Sequence, residues 1–357
     1  MRHSFTPGKV WLDTSGRRIQ AHGGSVICVE GTYYWYGENK DTANGRNGRQ
    51  TFGVRCYQSS DLYNWEDKGL IIPPNLDDPD SSLNPHHAKL DRPHILYNAR
   101  TKKFVCWAKI MNTDGTQTEI VLTAENILGP YTIVRDHVRP LGMNAGDFDL
   151  AVAPDGKAYY YFERVHSELI CADLTDDYTD LTGYYSTHFP QPYPPFVREA
   201  PAHFVRNHRH YLITSGTTGY FPNPSEAAVA DTWHGPFIVQ GDPFVDDLSH
   251  TSFHCQISSV FQVPGKKDLY IAMGDRWIPN CMDLPYAEYA HLFEVMFSGN
   301  YSDDEIKACR DQSRLDDYDP KDLSIADYVW LPITFRGDRV TIDWRDEWKI
   351  EDWDDVD

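Results

Sequence analysis

The segment IQAHGGSVICVEGTYYWYGE, residues 19–38, reads as an apolar strand, a tight turn at Glu30-Gly31 and an aromatic strand ending on the carboxylate of Glu38. It is introduced by the polar Gln20-Ala21-His22. The arrangement recurs as DRPHILYNARTKKFVCWAK from Asp91, DFDLAVAPDGKAYYYFER from Asp147, EAPAHFVRNHRHYLITSG from Glu199 and QISSVFQVPGKKDLYIAMGD from Gln256. The register is tight. Nine residues after His22, Asp91, Asp147, Glu199 and Gln256 come Gly31, Arg100, Gly156, His208 and Gly265, each in a turn.

A further strand pair follows each hairpin, with Gly-Pro-aromatic turns at Gly129-Pro130-Tyr131 and Gly235-Pro236-Phe237. Five units of about four strands predict an all-β fold, a five-bladed β-propeller. A long sandwich would leave the shared register unexplained. The last unit is interrupted over about 279–326, where YAEYAHLFEVMF and SDDEIKACRDQS read as short helices. The expectation is one catalytic domain over residues 1–357, with a partly helical insertion in blade five that walls the site or merely decorates the surface. The segment around Trp11 is expected to help close the ring, and the acidic tail DEWKIEDWDDVD to be a solvated end.

The chain has 357 residues and a formal charge of −20. That field disfavours nucleic acid and anionic membrane as partners and suits a neutral ligand, although it also serves solubility. Aromatic residues make up 13% of the chain, which suits both strand packing and sugar stacking. Seven cysteines, an odd number without a CxxC pair, read as buried thiols of a reducing compartment. MRHSFTPGKVW has no apolar core of a signal peptide, so the expected location is cytoplasmic. The oligomeric state is not legible.

In a propeller the innermost strand of each blade lines the central channel, and its leading end opens at one face. His22, Asp91, Asp147, Glu199 and Gln256 should therefore converge at one mouth. Sixteen residues on, the return strands bring Glu38, Trp107, Glu163 and Ser215 to the same end, and blade five offers Asp275, Arg276 and Trp277. Carboxylates crowded in one pocket shift one another's pKa values apart, as acid/base chemistry on a neutral substrate requires. Paired carboxylates near aromatic rings suit glycoside hydrolysis. No GxSxG, HExxH or Walker loop is present, and residues 37–48 read as a loop. No cofactor and no metal are expected. His86, His87, His208 and His210 read as surface or turn residues, and His250 and His254 as candidates to line the channel.

The segments IQAHGG…GTYYWYGE, GVRCYQSSDLYNW, REAPAHF…YLITSGTTGY and GDRW…YVWLP resemble glycoside hydrolase family 43, over about residues 13–344. Within it they are similar to exo-β-1,3-galactanases and related arabinofuranosidases and galactofuranosidases. The resemblance implies an inverting mechanism. It makes Glu199 the general acid and Asp147 the group that orients it and tunes its pKa. The Asp base that most of the family carries at the head of blade one is absent from QAHGG. The galactanase branch uses a Gln matching Gln256 together with a carboxylate in an ERP motif. Here that motif reads LDRP, so Asp91 is one methylene shorter. This puts the galactanase substrate in question more than the reaction type, and leaves Gln256 as positioner of water and Asp91 as rival base.

Candidate sugar contacts are Gln20, His22, Trp35, Glu38, Trp107, Glu163, Thr218, Tyr220, Asp275, Arg276 and Trp277. The expected partner is a galactose- or arabinose-containing oligosaccharide, trimmed from its end. A sugar-binding propeller without catalysis is the rival reading.

Overall fold

A computed structural model describes residues 1–41, 50–318 and 322–356. Of the loop read over 37–48, Gly37 and Glu38 end a strand instead, and residues 42–48 lie outside the described residues. Five four-stranded antiparallel sheets follow one another, each in simple meander order. The innermost strands are His22–Val29, Ala88–Asn98, Ala145–Val152, Arg198–Arg206 and Gln256–Gln262. The second strands are Thr32–Glu38, Lys103–Asn112, Ala158–Arg164, Arg209–Gly216 and Tyr270–Arg276. Each innermost strand touches the next, and blade five touches blade one, so the ring is closed. The protein is a five-bladed β-propeller.

The blades are held face to face mainly by side chains, because among the described residues no strand ladder joins one sheet to the next, apart from an isolated bridge between Phe244 and Ile342. Every blade is apolar on both faces, and the clusters fall at the seams. Tyr36, Cys56, Ile95 and Cys106 fill the seam between blades one and two. Trp107, Phe148 and Tyr160 fill the next. Phe204, Tyr211, Tyr270 and Leu331 join blades four and five. This explains why buried strands here read as apolar runs rather than as clean alternation.

The seam between blades five and one is the most aromatic. Trp11 of the N-terminal segment packs between Trp35 of blade one and Tyr328 and Trp330 of blade five, with ring centroids 5.2–6.0 Å apart. The acidic tail is not a solvated end. Trp348 is buried, donates from Nε1 to the Trp330 carbonyl at 2.9 Å and stacks on Phe5. Its backbone exchanges both hydrogen bonds with Phe5. The tail's charges are solvated while its tryptophan is not, so net charge misjudged the segment. His210 is also no surface residue. It is buried, with its ring 4.4 Å from that of Trp233.

Blade five runs from Arg276 into the insertion and resumes at Asp327–Arg336. The insertion holds helix α1, Ala290–Phe297, and helix α2, Asp303–Gln312. Ser302 and Glu305 form a reciprocal capping box at the start of α2, which fixes where that helix begins. Leu292 anchors α1 on a cluster with Trp277, Leu284, Tyr289 and Leu323, against which Phe293 also packs, and Val295 is buried as well. No helix among the described residues is long and apolar enough to cross a membrane.

Trp35, a candidate sugar contact, belongs to the core. It is 0% exposed and surrounded by Trp11, Tyr57, Trp65, Tyr328 and Trp330. It lies three residues before Glu38, and an odd spacing in a strand places two side chains on opposite faces. Trp35→Ala is expected to lower stability by about 3–5 kcal/mol, the range for deleting a large buried aromatic. Chemical denaturation checks this. An unchanged midpoint with weakened sugar binding would return Trp35 to the site.

Candidate active site

The heads of the innermost strands share a local device. In each blade the pairing with the second strand slips at or just after the head, through a β-bulge. Gly23, Arg92 and Ala200 follow their heads with φ of 60°, 53° and 47°. A bulge with a left-handed residue turns the strand end and aims the head's side chain into the mouth. In blades one and three a glycine makes room for the opposing carboxylate. A Cβ on Gly23 would meet Glu38 Oε1 at 2.4 Å, and one on Gly146 would meet Glu163 Oε2 at 2.1 Å.

The mouth opens into a cavity of about 300 Å³ lined by Glu38, Asp91, Asp147, Glu163 and Glu199. Lys89, Arg92 and Lys109 are interleaved among these carboxyl groups. Lys109 Nζ lies 2.6 Å from Asp147 Oδ1 and 3.6 Å from Asp91 Oδ2. Lys89 Nζ lies 3.1 Å from Asp91 Oδ2 and also donates to the Tyr220 hydroxyl. Lys40 is within 2.7 Å of Glu38 and 3.8 Å of Asp91. The crowd of carboxylates expected from sequence is thus a mixed-charge network.

Arg92 bridges the network. Its backbone N–H donates to Glu38 Oε1 at 2.9 Å. Its Nη2 lies 3.0 Å from Asp147 Oδ2 and also donates to Gln256 Oε1. Trp277 Nε1 donates to the same Gln256 oxygen at 3.1 Å. Two pure donors face that atom, so it must be the carbonyl oxygen. The amide NH₂ of Gln256 then donates to Ser215 Oγ at 2.9 Å and Glu199 Oε1 at 3.4 Å.

These contacts split the carboxyl groups. Burial pushes Glu199 well above the ordinary Glu value, and the charges of Asp147 and Glu163 push it further, against Lys109 and Arg92. Burial also works against ionising Asp147, but Arg92 and Lys109 outweigh it and hold that group below the ordinary Asp value. For Asp91, burial is outweighed by Lys89, Lys109 and Lys40 in the same sense. One acid is kept protonated beside two that are kept ionised.

Asp91, Asp147, Glu199, Gln256, Glu38, Glu163, Tyr220 and Trp277 line the cavity as the sequence register requires. The remaining candidates do not. Trp107 pairs with His94, is buried in the seam and donates from Nε1 to the Tyr178 carbonyl. The blade-two turn spans residues 99–102, two residues more than Glu30-Gly31 in blade one, so the partner of Asp91 is Lys109, eighteen residues on. His22 is 0% exposed, beneath the cavity, bonded to Asp275 at 3.2 Å and stacked on Tyr328. Asp275 also accepts from Gly23 N, so the pair braces the blade-one bulge rather than meeting substrate.

Arg276, one residue past Asp275, points to the other face and donates to the Phe253 and His254 carbonyls. Gln20 donates to the Ser324 carbonyl away from the cavity. Thr218 is buried inside its loop, donating to the Phe221 carbonyl, and its neighbours Thr217 and Gly219 line the cavity instead. His250 and His254 lie off this cavity. Sequence reasoning missed Lys89, Arg92, Lys109 and His166, and of its two readings of the insertion the structure shows the wall, through Phe293, Met296 and Phe297 of α1. Lys89 and Lys109 lie two residues from Asp91 and from Trp107, on the same strand faces, which was the available signal.

The raised pKa of Glu199 has a stability consequence. Below the ordinary Glu value of 4.5 both folded and unfolded chains carry the proton, and the shift has no effect. As pH rises above it, the unfolded chain ionises first, and the fold is progressively disfavoured until the raised folded value is passed. Glu199→Gln is therefore expected to raise Tm at pH 7 and not at pH 4. A lowered Tm at pH 7 would contradict the assignment.

The sequence profile of glycosyl hydrolases family 43 matches residues 19–273. A β-1,3-galactosidase of that family is 30% identical, with a TM-score of 0.77 over 98% of this chain and 64% of its own. The chain thus spans less than two thirds of that relative. A second β-1,3-galactosidase of the family, solved with galactodeoxynojirimycin, is 27% identical, with a TM-score of 0.77 over 97% of this chain and 100% of its own. An exo-β-1,3-galactanase from Clostridium thermocellum is 27% identical, with a TM-score of 0.73 over 96% of this chain and 66% of its own. No curated protein sequence matches. With a family profile over most of its length and a solved relative over nearly all of it, the chain belongs to glycoside hydrolase family 43.

Proposed function

We propose that the protein is an exo-acting, inverting glycoside hydrolase that releases terminal galactose from β-1,3-linked galacto-oligosaccharides. One observation carries the reading. Glu199 is driven toward its protonated form in the same mouth where Asp147 and Asp91 are driven toward their ionised forms. That division suits general acid catalysis by Glu199 near neutral pH. The β-1,3-galactosidase and exo-galactanase relatives at 27–30% identity support the substrate class.

In this mechanism Glu199 gives its proton to the glycosidic oxygen as the bond to the anomeric carbon breaks. Asp147 stays ionised, keeps the Glu199 pKa high and remains fixed by Arg92 and Lys109. Water attacks the opposite face, and its oxygen becomes the new anomeric hydroxyl. The Gln256 carbonyl oxygen already accepts two hydrogen bonds and its amide donates to Ser215 and Glu199, so that residue holds the acid in place and does not take the water's proton. Asp91 is the ionised acceptor that takes the water's proton. The lysines that keep it ionised also weaken it as a base, which fits a role on an already positioned water.

Incubation with β-1,3-galactobiose should give galactose that appears first as the α-anomer, read by proton NMR. Glu199→Gln and Asp91→Asn are each expected to lower kcat by about 10²–10⁴. In the wild type, the alkaline limb of kcat/KM should fall above the ordinary Glu range. Full activity in Glu199→Gln would overturn the reading. Release from aryl α-L-arabinofuranoside or β-D-galactofuranoside in place of galactobiose would change the sugar.

A further inference from the structure

Helix α1 carries two apolar faces. One, with Leu292 and Val295, anchors it to the insertion's own core. The other presents Phe293, Met296 and Phe297, a set spaced three and four residues apart and therefore on one side of the helix. All three line the cavity. Met296 is 38% exposed and Phe297 40% exposed, so the protein leaves this part of the second face only partly covered, while Phe293 also packs against the insertion's core. Anchoring explains the first stripe and Phe293, and does not explain Met296 and Phe297. An apolar surface continuous with a charged pocket marks a place where a ligand completes the packing.

The opposite rim has matching chemistry. His166 of blade three sets its ring edge against Phe297, with centroids 5.6 Å apart and planes at 73°. It is fixed there because its backbone N–H and Nδ1 both contact Glu163 Oε1, at 3.0 and 3.1 Å. Met111 and Gln117 of blade two line the same rim. The cavity thus has a charged floor and an apolar roof. The floor, with Glu199, Asp147 and Gln256, holds the sugar whose bond is cut. The group departing from Glu199 must leave toward the roof, because blades surround the floor on its other sides.

We infer that α1 builds a leaving-group subsite that binds the apolar face of the aglycone. This rests on the galactosidase reading above and specifies its leaving-group side. The occupant is a leaving group with a flat apolar face, an aryl ring or the C–H face of a galactosyl unit. The two methionines supply a wall that adapts to its shape. A small, fully hydrated leaving group gains nothing from this surface.

Non-hydrolysable thioglycosides separate this subsite from the chemistry. Phenyl and methyl 1-thio-β-D-galactopyranoside place the same sugar on the floor and differ only at the roof. Calorimetric titration of the full chain is expected to give phenyl binding roughly tenfold tighter than methyl, as burying one apolar ring implies. In Met296→Ser/Phe297→Ser the ratio should fall toward one, while Leu292 and Val295 still anchor the helix. Circular dichroism and galactose titration report whether the variant keeps its fold and its floor. Equal binding of the two thioglycosides by the wild type, or a ratio retained in the variant, would overturn the inference. Failure of galactose and both thioglycosides to bind would remove the inference together with the galactosidase reading beneath it. Binding of galactose with no preference for phenyl removes the inference alone.

Discussion

The guanidinium of Arg92 is the tie on which the mouth depends. It belongs to blade two, yet its backbone N–H holds Glu38 of blade one and its Nη2 holds Asp147 of blade three and Gln256 of blade five. Its φ of 53° is a left-handed conformation that a residue with a Cβ adopts at a cost of about 1 kcal/mol or more. A buried charge is tolerated only when its partners are in place. Those partners come from three other blades, so the network forms only when the ring has closed. Arg92 also fixes the orientation of the Gln256 amide and the charge of Asp147, and so reaches both the water side and the acid side of the site.

Ring closure gives that network a rigid frame. Side-chain seams, densest in tryptophan where blade five meets blade one, hold the sheets so that five bulged strand ends face one opening. Both termini pack into the last seam through Phe5, Trp11 and Trp348. The floor is therefore set by elements buried on every side. The roof comes from a helix that emerges between two strands of one blade. This division puts the charged floor on the ring and the apolar roof on the insertion.

The blade count and the mouth were legible because they rest on a register that repeats in the sequence, a polar head nine residues before a turn. What escaped was set by small offsets. A turn longer by two residues in blade two replaced Trp107 with Lys109. Strand alternation sent Trp35 and Arg276 to faces away from the site. The cations were passed over because a lysine in a strand is usually solvated, and only the three-dimensional crowding of Asp91 and Asp147 gives Lys89 and Lys109 their place. Arg92 could not be anticipated from spacing, since its contacts span four blades.

The central claim is that Glu199 is pushed toward its protonated form while Asp147 and Asp91 are pushed toward their ionised forms. Carbon-13 NMR titration of the side-chain carboxyl groups, with Glu199 assigned by comparison with Glu199→Gln, tests it most directly. The account predicts that Glu199 titrates above the ordinary Glu value of 4.5 and that Asp147 stays ionised below the ordinary Asp value of 3.8. Titration of Glu199 at or below 4.5, or a protonated Asp147 at neutral pH, would contradict it.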